Sequence, residues 1–163
     1  MRVREAVPED AEAIARVHVR AWQVAYAHAF PPEMLAALDV PSRARAVRDR
    51  IAAGERILVT EDVSGFASVG ASQDADAEGA GEIFAIYVRP ERWGTGAGRA
   101  LMAACIDTLR AGGFDEAVLW VLEDNPRARR FYERAGWATD GAVRDAEFLG
   151  TRLPVVRYRV SLR

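Results

Sequence analysis

Between Glu82 and Gly98 the chain reads EIFAIYVRPERWGTGAG, an order of residues that few folds accommodate. Glu82, Phe84, Ile86 and Val88 alternate with Ile83, Ala85 and Tyr87, and both sets are largely apolar. That is the pattern of a strand covered on both faces. Pro90 has no N–H for a ladder and disfavours a helical Arg89, so the strand is expected to end there. Gly94, Gly96 and Gly98 follow, and then Arg99 and ALMAACI, a strong helix former. A helix that begins inside a glycine-rich turn presents unpaired N–H groups and the positive end of its dipole. Those features together make an anion site, and phosphate is the usual anion.

The spacing is neither that of a dinucleotide fold, which needs G-x-G-x-x-G, nor that of a Walker loop, which ends in G-K-[ST]. All 22 basic residues are arginine, so the chain has no lysine at all. P-loop kinases, Schiff-base enzymes and pyridoxal chemistry are thereby excluded. With 50% hydrophobic residues, 28% charged and a net charge of −2, the profile is globular and carries no electrostatic footprint for nucleic acid. The length of 163 residues fits one domain over residues 1–163. One cysteine makes no internal disulfide, and with two histidines it supplies no zinc site, so no metal is expected. No signal peptide or long apolar run is visible; a cytoplasmic protein with no membrane partner is the expectation.

In chain order, residues 1–7 read as an opening strand and Pro8-Glu-Asp as a helix start. Ile14, Val17, Ala21 and Val24 form an apolar stripe, and His18, Trp22 and Tyr26 a second one at i, i+4, i+8. The second stripe either pads the edge of the first or lines a pocket. Phe30-Pro-Pro breaks this helix, 33–38 is a short helical turn, and 41–54 carries a basic helix with a solvated arginine face. Residues 56–62 and 65–71 read as antiparallel strands. SQDADAEGAG (72–81) is an acidic loop, either a solvated tip or a lure for a cationic amine. Helix 98–111 follows the glycine turn, with Cys105 a small core residue. Strand, helix and strand from Glu82 to Leu122 make one parallel crossover. The segment 143–150 reads as a polar, acidic loop, and 153–162 as a closing antiparallel strand. The result is α/β with a mixed sheet.

A second stretch narrows the function. AVLWVL (117–122) reads as a buried strand, and NPRARRFYERAG as a helix capped by Asn125, opened by Pro126 and closed by Gly136. RWGTGAGRALM followed by NPRARRFYERAGW resembles the GNAT (Gcn5-related) N-acetyltransferases. Their signature is a [QR]-x-x-G-x-[GA] loop and an N-x-x-[AS]-x-x-[FL]-Y-x-x-x-G-[FW] helix. Asn125, Ala128, Phe131, Tyr132, Gly136 and Trp137 fit the second pattern, and Gly96 and Gly98 fit the first. Trp93 stands where the family usually has Gln or Arg, so one side-chain contact to the cofactor is missing from the pattern.

The resemblance implies a mostly antiparallel central sheet with one parallel, splayed strand pair, flanked by helices. It implies acetyl-CoA as cofactor and an amine acceptor, small molecule or peptide, and it leaves a homodimer open. It places the diphosphate on Gly94, Thr95, Gly96, Ala97, Gly98 and Arg99, and the pantetheine arm beside Ile86, Tyr87 and Val88. The backbone of Val88 then polarises the thioester carbonyl. Asn125 either bonds that arm or only caps its helix. Tyr132 is the general acid for the departing thiolate, a role open to a phenol of pKa about 10; the other reading is a buried Tyr–Phe core pair. Glu82, six residues before Val88 and so on the same face by strand alternation, is the general-base candidate, with ordered water as the alternative. The first two helices and their connection, Trp22 and Tyr26 of the first among them, are expected to wall the acceptor side. A non-catalytic acyl-CoA-binding module of the same fold, or a nucleotide-binding domain, are the rival readings.

Overall fold

The computed structural model describes residues 1–163. Its elements are β1 (Val3–Glu5), α1 (Ala11–Ala25), α2 (Pro32–Ala36), α3 (Val40–Ala52), β2 (Arg56–Thr60), β3 (Gly65–Ala71), β4 (Gly81–Val88), α4 (Ala97–Ala111), β5 (Glu116–Leu122), α5 (Pro126–Arg134), β6 (Ala138–Phe148) and β7 (Thr151–Ser161). The strands form one sheet in the order β1-β2-β3-β4-β5-β7-β6. Every neighbouring pair is antiparallel except β4–β5. The mixed α/β architecture expected of the sequence is therefore present, with its single parallel pair where the crossover through α4 predicts it.

Helices cover both faces. On one, Ile14 and Val17 of α1 and Val47 of α3 pack on Val59 and Phe66. On the other, Leu101, Cys105 and Leu109 of α4 meet Ile83, Leu119 and Tyr158, with Tyr132 and Trp137 completing the layer. A Cβ on Gly65 would stand 2.8 Å from a Leu101 methyl, so the bare backbone there is what lets α4 lie so close to the sheet.

Two features depart from the sequence reading. The segment expected to be a polar loop at 143–150 is mostly β6, whose residues 143–148 pair with β7. It is an edge strand exposed along most of its length, so it carries no buried alternation for a reader to find. Second, β4 is bulged. Ser68 opposes Ala85 while Val69 opposes Ile83, leaving Phe84 as the extra residue. The bulge resets the alternation. Ile83 shares the α4 face with Ile86 and Val88, while Ala85 and Tyr87 pack with the α1 layer. Glu82, next to Ile83, therefore lies on the Tyr87 face and does not share a face with Val88 as simple alternation predicts.

Candidate active site

The parallel pairing of β4 with β5 is confined to Gly81 opposite Ala117 and Glu82 opposite Val118. Beyond those residues the strands part. Their outer edges stay fully laddered, β4 to β3 and β5 to β7. The amide of Arg89 donates to the carbonyl of Ser64 at 2.8 Å, which makes that pair a hydrogen-bonded one. Antiparallel alternation then turns the main-chain groups of Val88 and Ile86 away from β3. Likewise Glu123 donates to Pro154 at 3.0 Å, and the same alternation turns Leu122 and Trp120 away from β7. A seam thus opens in the sheet, lined on both sides by peptide groups that no strand satisfies. Exposed rows of this kind accept a ligand that offers amides of its own.

The seam runs toward the start of α4. Gly94 and Gly96 have φ of 76° and 95°, left-handed values that glycine adopts without strain, and Gly96 caps the helix with no side chain. The first helical hydrogen bond is Ala100 N–H to Gly96 O, 3.0 Å. The amides of Gly94, Thr95, Gly96, Ala97, Gly98 and Arg99 have no acceptor within the chain. Together with the dipole of a 15-residue helix they form an anion cradle. The cradle and seam suit a ligand with a diphosphate and an amide-bearing arm, both of which coenzyme A carries.

Tyr132 lies on α5, 8% exposed, its ring against Phe131, Trp137 and Tyr158. Its hydroxyl makes no hydrogen bond within the chain. Burial, followed by the neighbouring Tyr87 phenol and Cys105 thiol, pushes its pKa above the ordinary tyrosine value, so it stays protonated. Asn125 caps α5: its Oδ1 accepts from the amide of Ala128 at 3.2 Å. Gly98 is where α5 meets the cradle, since a Cβ there would stand 3.3 Å from the Phe131 ring.

On the opposite face the aromatic stripe of α1 turns inward. Trp22 and Tyr26 are 7% and 6% exposed, and the Trp22 indole donates to the Tyr87 hydroxyl at 3.2 Å. His18 stacks on the Tyr87 ring, with centroids 5.0 Å apart. Burial first, then Arg43 and Arg50, pushes His18 down to about 3, so it is a neutral aromatic wall at physiological pH. The structure brings Trp22, Tyr26 and Tyr87 together with Phe30, Phe148 and Leu122 beside the seam.

Glu82 sits at the closed end of the seam, at the far end of β4 from the cradle. It is 8% exposed, makes no ion pair and accepts one hydrogen bond, from Ser72 Oγ at 3.0 Å. Burial raises its pKa, and the nearby Asp74 charge adds to the effect. The acidic loop before β4 is exposed at Asp76 and Glu78 but is anchored through Asp74. Arg157, 4% exposed, donates to Asp74, Asp76 and Asp140 at 3.1, 2.7 and 2.7 Å, and the Trp120 indole donates to Asp74 at 2.8 Å. Two of the three acids are thus spent on Arg157 and cannot draw in an amine. Ser72 and the bulged Phe84 escape the sequence reading because serine in a loop and phenylalanine in an apolar strand are unremarkable until placed beside Glu82.

The sequence model described as the acetyltransferase (GNAT) family matches residues 11–137. An uncharacterized N-acetyltransferase of Bacillus subtilis (strain 168), YuaI, is 38% identical over 128 residues, 76% of this chain and 73% of that protein. A mycothiol acetyltransferase of Thermobispora bispora is 45% identical over 73 residues, but this covers only 40% of the chain and 25% of the relative. Among solved structures, PaiA N-acetyltransferase from Thermoplasma acidophilum in complex with coenzyme A superposes with a TM-score of 0.75 over 98% of both chains, at 18% identity. Splayed strands, glycine cradle and a family match that spans both make the assignment plain: the chain belongs to the acetyltransferase (GNAT) family.

Proposed function

We propose that this protein is an N-acetyltransferase that uses acetyl-CoA and acetylates a primary amine by direct attack within a ternary complex. One observation carries the reading: a seam of main-chain groups that no neighbouring strand pairs with leads toward a cradle of free amides at the N-terminus of α4. Acetyl-CoA, when bound, supplies an activated thioester and a thiolate leaving group. The cradle from Gly94 to Arg99 holds its diphosphate, and Ile86, Tyr87 and Val88 lie beside its arm. The free amide of Val88 faces the seam and stabilises negative charge developing on the acyl oxygen. Asn125 serves as the α5 cap.

Glu82 and Tyr132 lie on opposite faces of the sheet, flanking the seam. Glu82, whose raised pKa makes it a stronger base than an ordinary carboxylate, takes the proton from the incoming ammonium. Tyr132, which keeps its proton, gives it to the departing sulfur. Cys105 is fully buried in the α4 layer, and burial pushes its thiol up to about 12, so it forms no acyl-enzyme. Trp22 and Tyr26 wall the acceptor side. The acceptor is a small-molecule or peptide amine; the mycothiol acetyltransferase match covers 40% of the chain, too little to carry an acceptor across.

Thermal shifts with coenzyme A, ATP and NAD, followed by free-thiol detection with acetyl-CoA and a panel of amines, test the reading. Stabilisation by coenzyme A and amine-dependent thiol release are expected. Preferential stabilisation by ATP or NAD would overturn it. Binding of coenzyme A with no turnover on any amine would leave only a binding module.

A further inference from the structure

The first residue of the cradle's approach, Trp93, is unlike the glutamine or arginine usual at that position. Its indole N–H donates to the carbonyl of Val88 at 2.9 Å. Because the main-chain groups of Val88 turn into the seam, the ring lies across the seam's open mouth. The guanidinium carbon of Arg127, on the first turn of α5, stands 3.9 Å from the centroid of that ring. Stacking uses the face of a guanidinium and leaves its edge donors free. Arg127 is exposed and has neither an ion pair nor a hydrogen bond. Arg129, two residues on, is by contrast committed to the Tyr158 hydroxyl and the Glu123 carbonyl. The packing of Phe131 against Gly98 holds this end of α5 against the cradle.

An uncommitted cation is therefore fixed beside a row of free amides, on a side chain whose only donor is already spent on the Val88 carbonyl. We infer that Arg127, positioned by stacking on Trp93, is a phosphate ligand for the acyl-CoA and supplies the side-chain cation that position 93 lacks. This rests on the coenzyme A reading above. The phosphate it contacts belongs either to the diphosphate or to the ribose 3′-phosphate of the same ligand, and the test separates them.

Calorimetric titration of coenzyme A into the full chain is the measurement. Arg127→Ala should weaken binding about tenfold, the value of one partly exposed charge-assisted contact. Arg130→Ala, which removes an exposed charge from the same helix, should not. Trp93→Ala should weaken binding as well, and Trp93→Arg in the Arg127→Ala background should restore it. Repeating the series with dephospho-coenzyme A identifies the phosphate. A deficit that persists assigns Arg127 to the diphosphate, and one that vanishes assigns it to the 3′-phosphate. Equal affinity of wild type and Arg127→Ala, or equal losses in Arg127→Ala and Arg130→Ala, would overturn the inference. Absence of binding by the wild type would instead overturn the coenzyme A reading.

Discussion

Replacing Tyr132 or Tyr158 by phenylalanine removes one oxygen from the same layer, yet opposite results are expected. The two rings are 6.0 Å apart and both are buried. The Tyr158 hydroxyl accepts from Arg129 Nε at 3.0 Å and donates to Glu133 Oε2 at 2.7 Å. Two charge-assisted bonds are lost in Tyr158→Phe, and both partners can turn to water, so the cost is about 2 kcal/mol. At this chain length that lowers the melting temperature by roughly 4–8 °C. The Tyr132 hydroxyl bonds to nothing within the chain, so Tyr132→Phe should stay within about 0.5 kcal/mol of wild type. Turnover should respond the other way. Loss of a general acid slows it about 10²- to 10⁴-fold, equivalent to roughly 3–5 kcal/mol of transition-state stabilisation. Tyr158→Phe should retain most activity. Scanning calorimetry and thiol release at saturating acetyl-CoA read both quantities. A Tyr132→Phe variant that turns over normally, or that melts as low as Tyr158→Phe, would refute the assignment of the acid.

Glu82→Gln should abolish most turnover, by about 10²-fold or more if the carboxylate is the base, while raising stability at neutral pH. The sign follows from the raised pKa. The folded state holds its proton above the unfolded value, so stability from this group is present below the unfolded pKa and falls as pH rises through the folded one. The stabilising effect of glutamine should therefore fade in mild acid, where the wild-type carboxyl is protonated; a gain that is the same at every pH would contradict it. Arg157→Ala leaves Asp74 and Asp140 without their buried partner, and should cost about 3–5 kcal/mol in denaturant unfolding. Arg163→Ala, whose pair with Asp115 is largely exposed, should leave the denaturant midpoint nearly unchanged.

The parts legible in the sequence are those whose local chemistry agrees with the fold. Pro90 ends β4, glycines open α4, and Asn125-Pro126 start α5, each with a physical reason confined to a few residues. What escaped depends on neighbours distant in the chain. The bulge at Phe84 arises from the pairing with β3, and it moved Glu82 to the face opposite the one alternation assigns. The residues of β6 are mostly exposed and charged, so only its partner β7 makes it a strand. Asp74 and Asp76 read as loop acids because Arg157, their partner, lies more than eighty residues away.

The short parallel contact between β4 and β5 has a mechanical consequence. Apart from Gly81–Ala117 and Glu82–Val118, nothing in the ladder joins the leaf β1 to β4 to the leaf β5 to β6. The two leaves can breathe about that short hinge, held otherwise by the helices and, at the closed end, by the bonds of Trp120 and Arg157 to Asp74. A ligand lying between them acts as a splint, bonding to both edges where the protein has no strand of its own. Its grip is therefore part of the molecule's architecture, and slowed amide exchange at Ile86 and Val88 would be the first sign that the splint is in place.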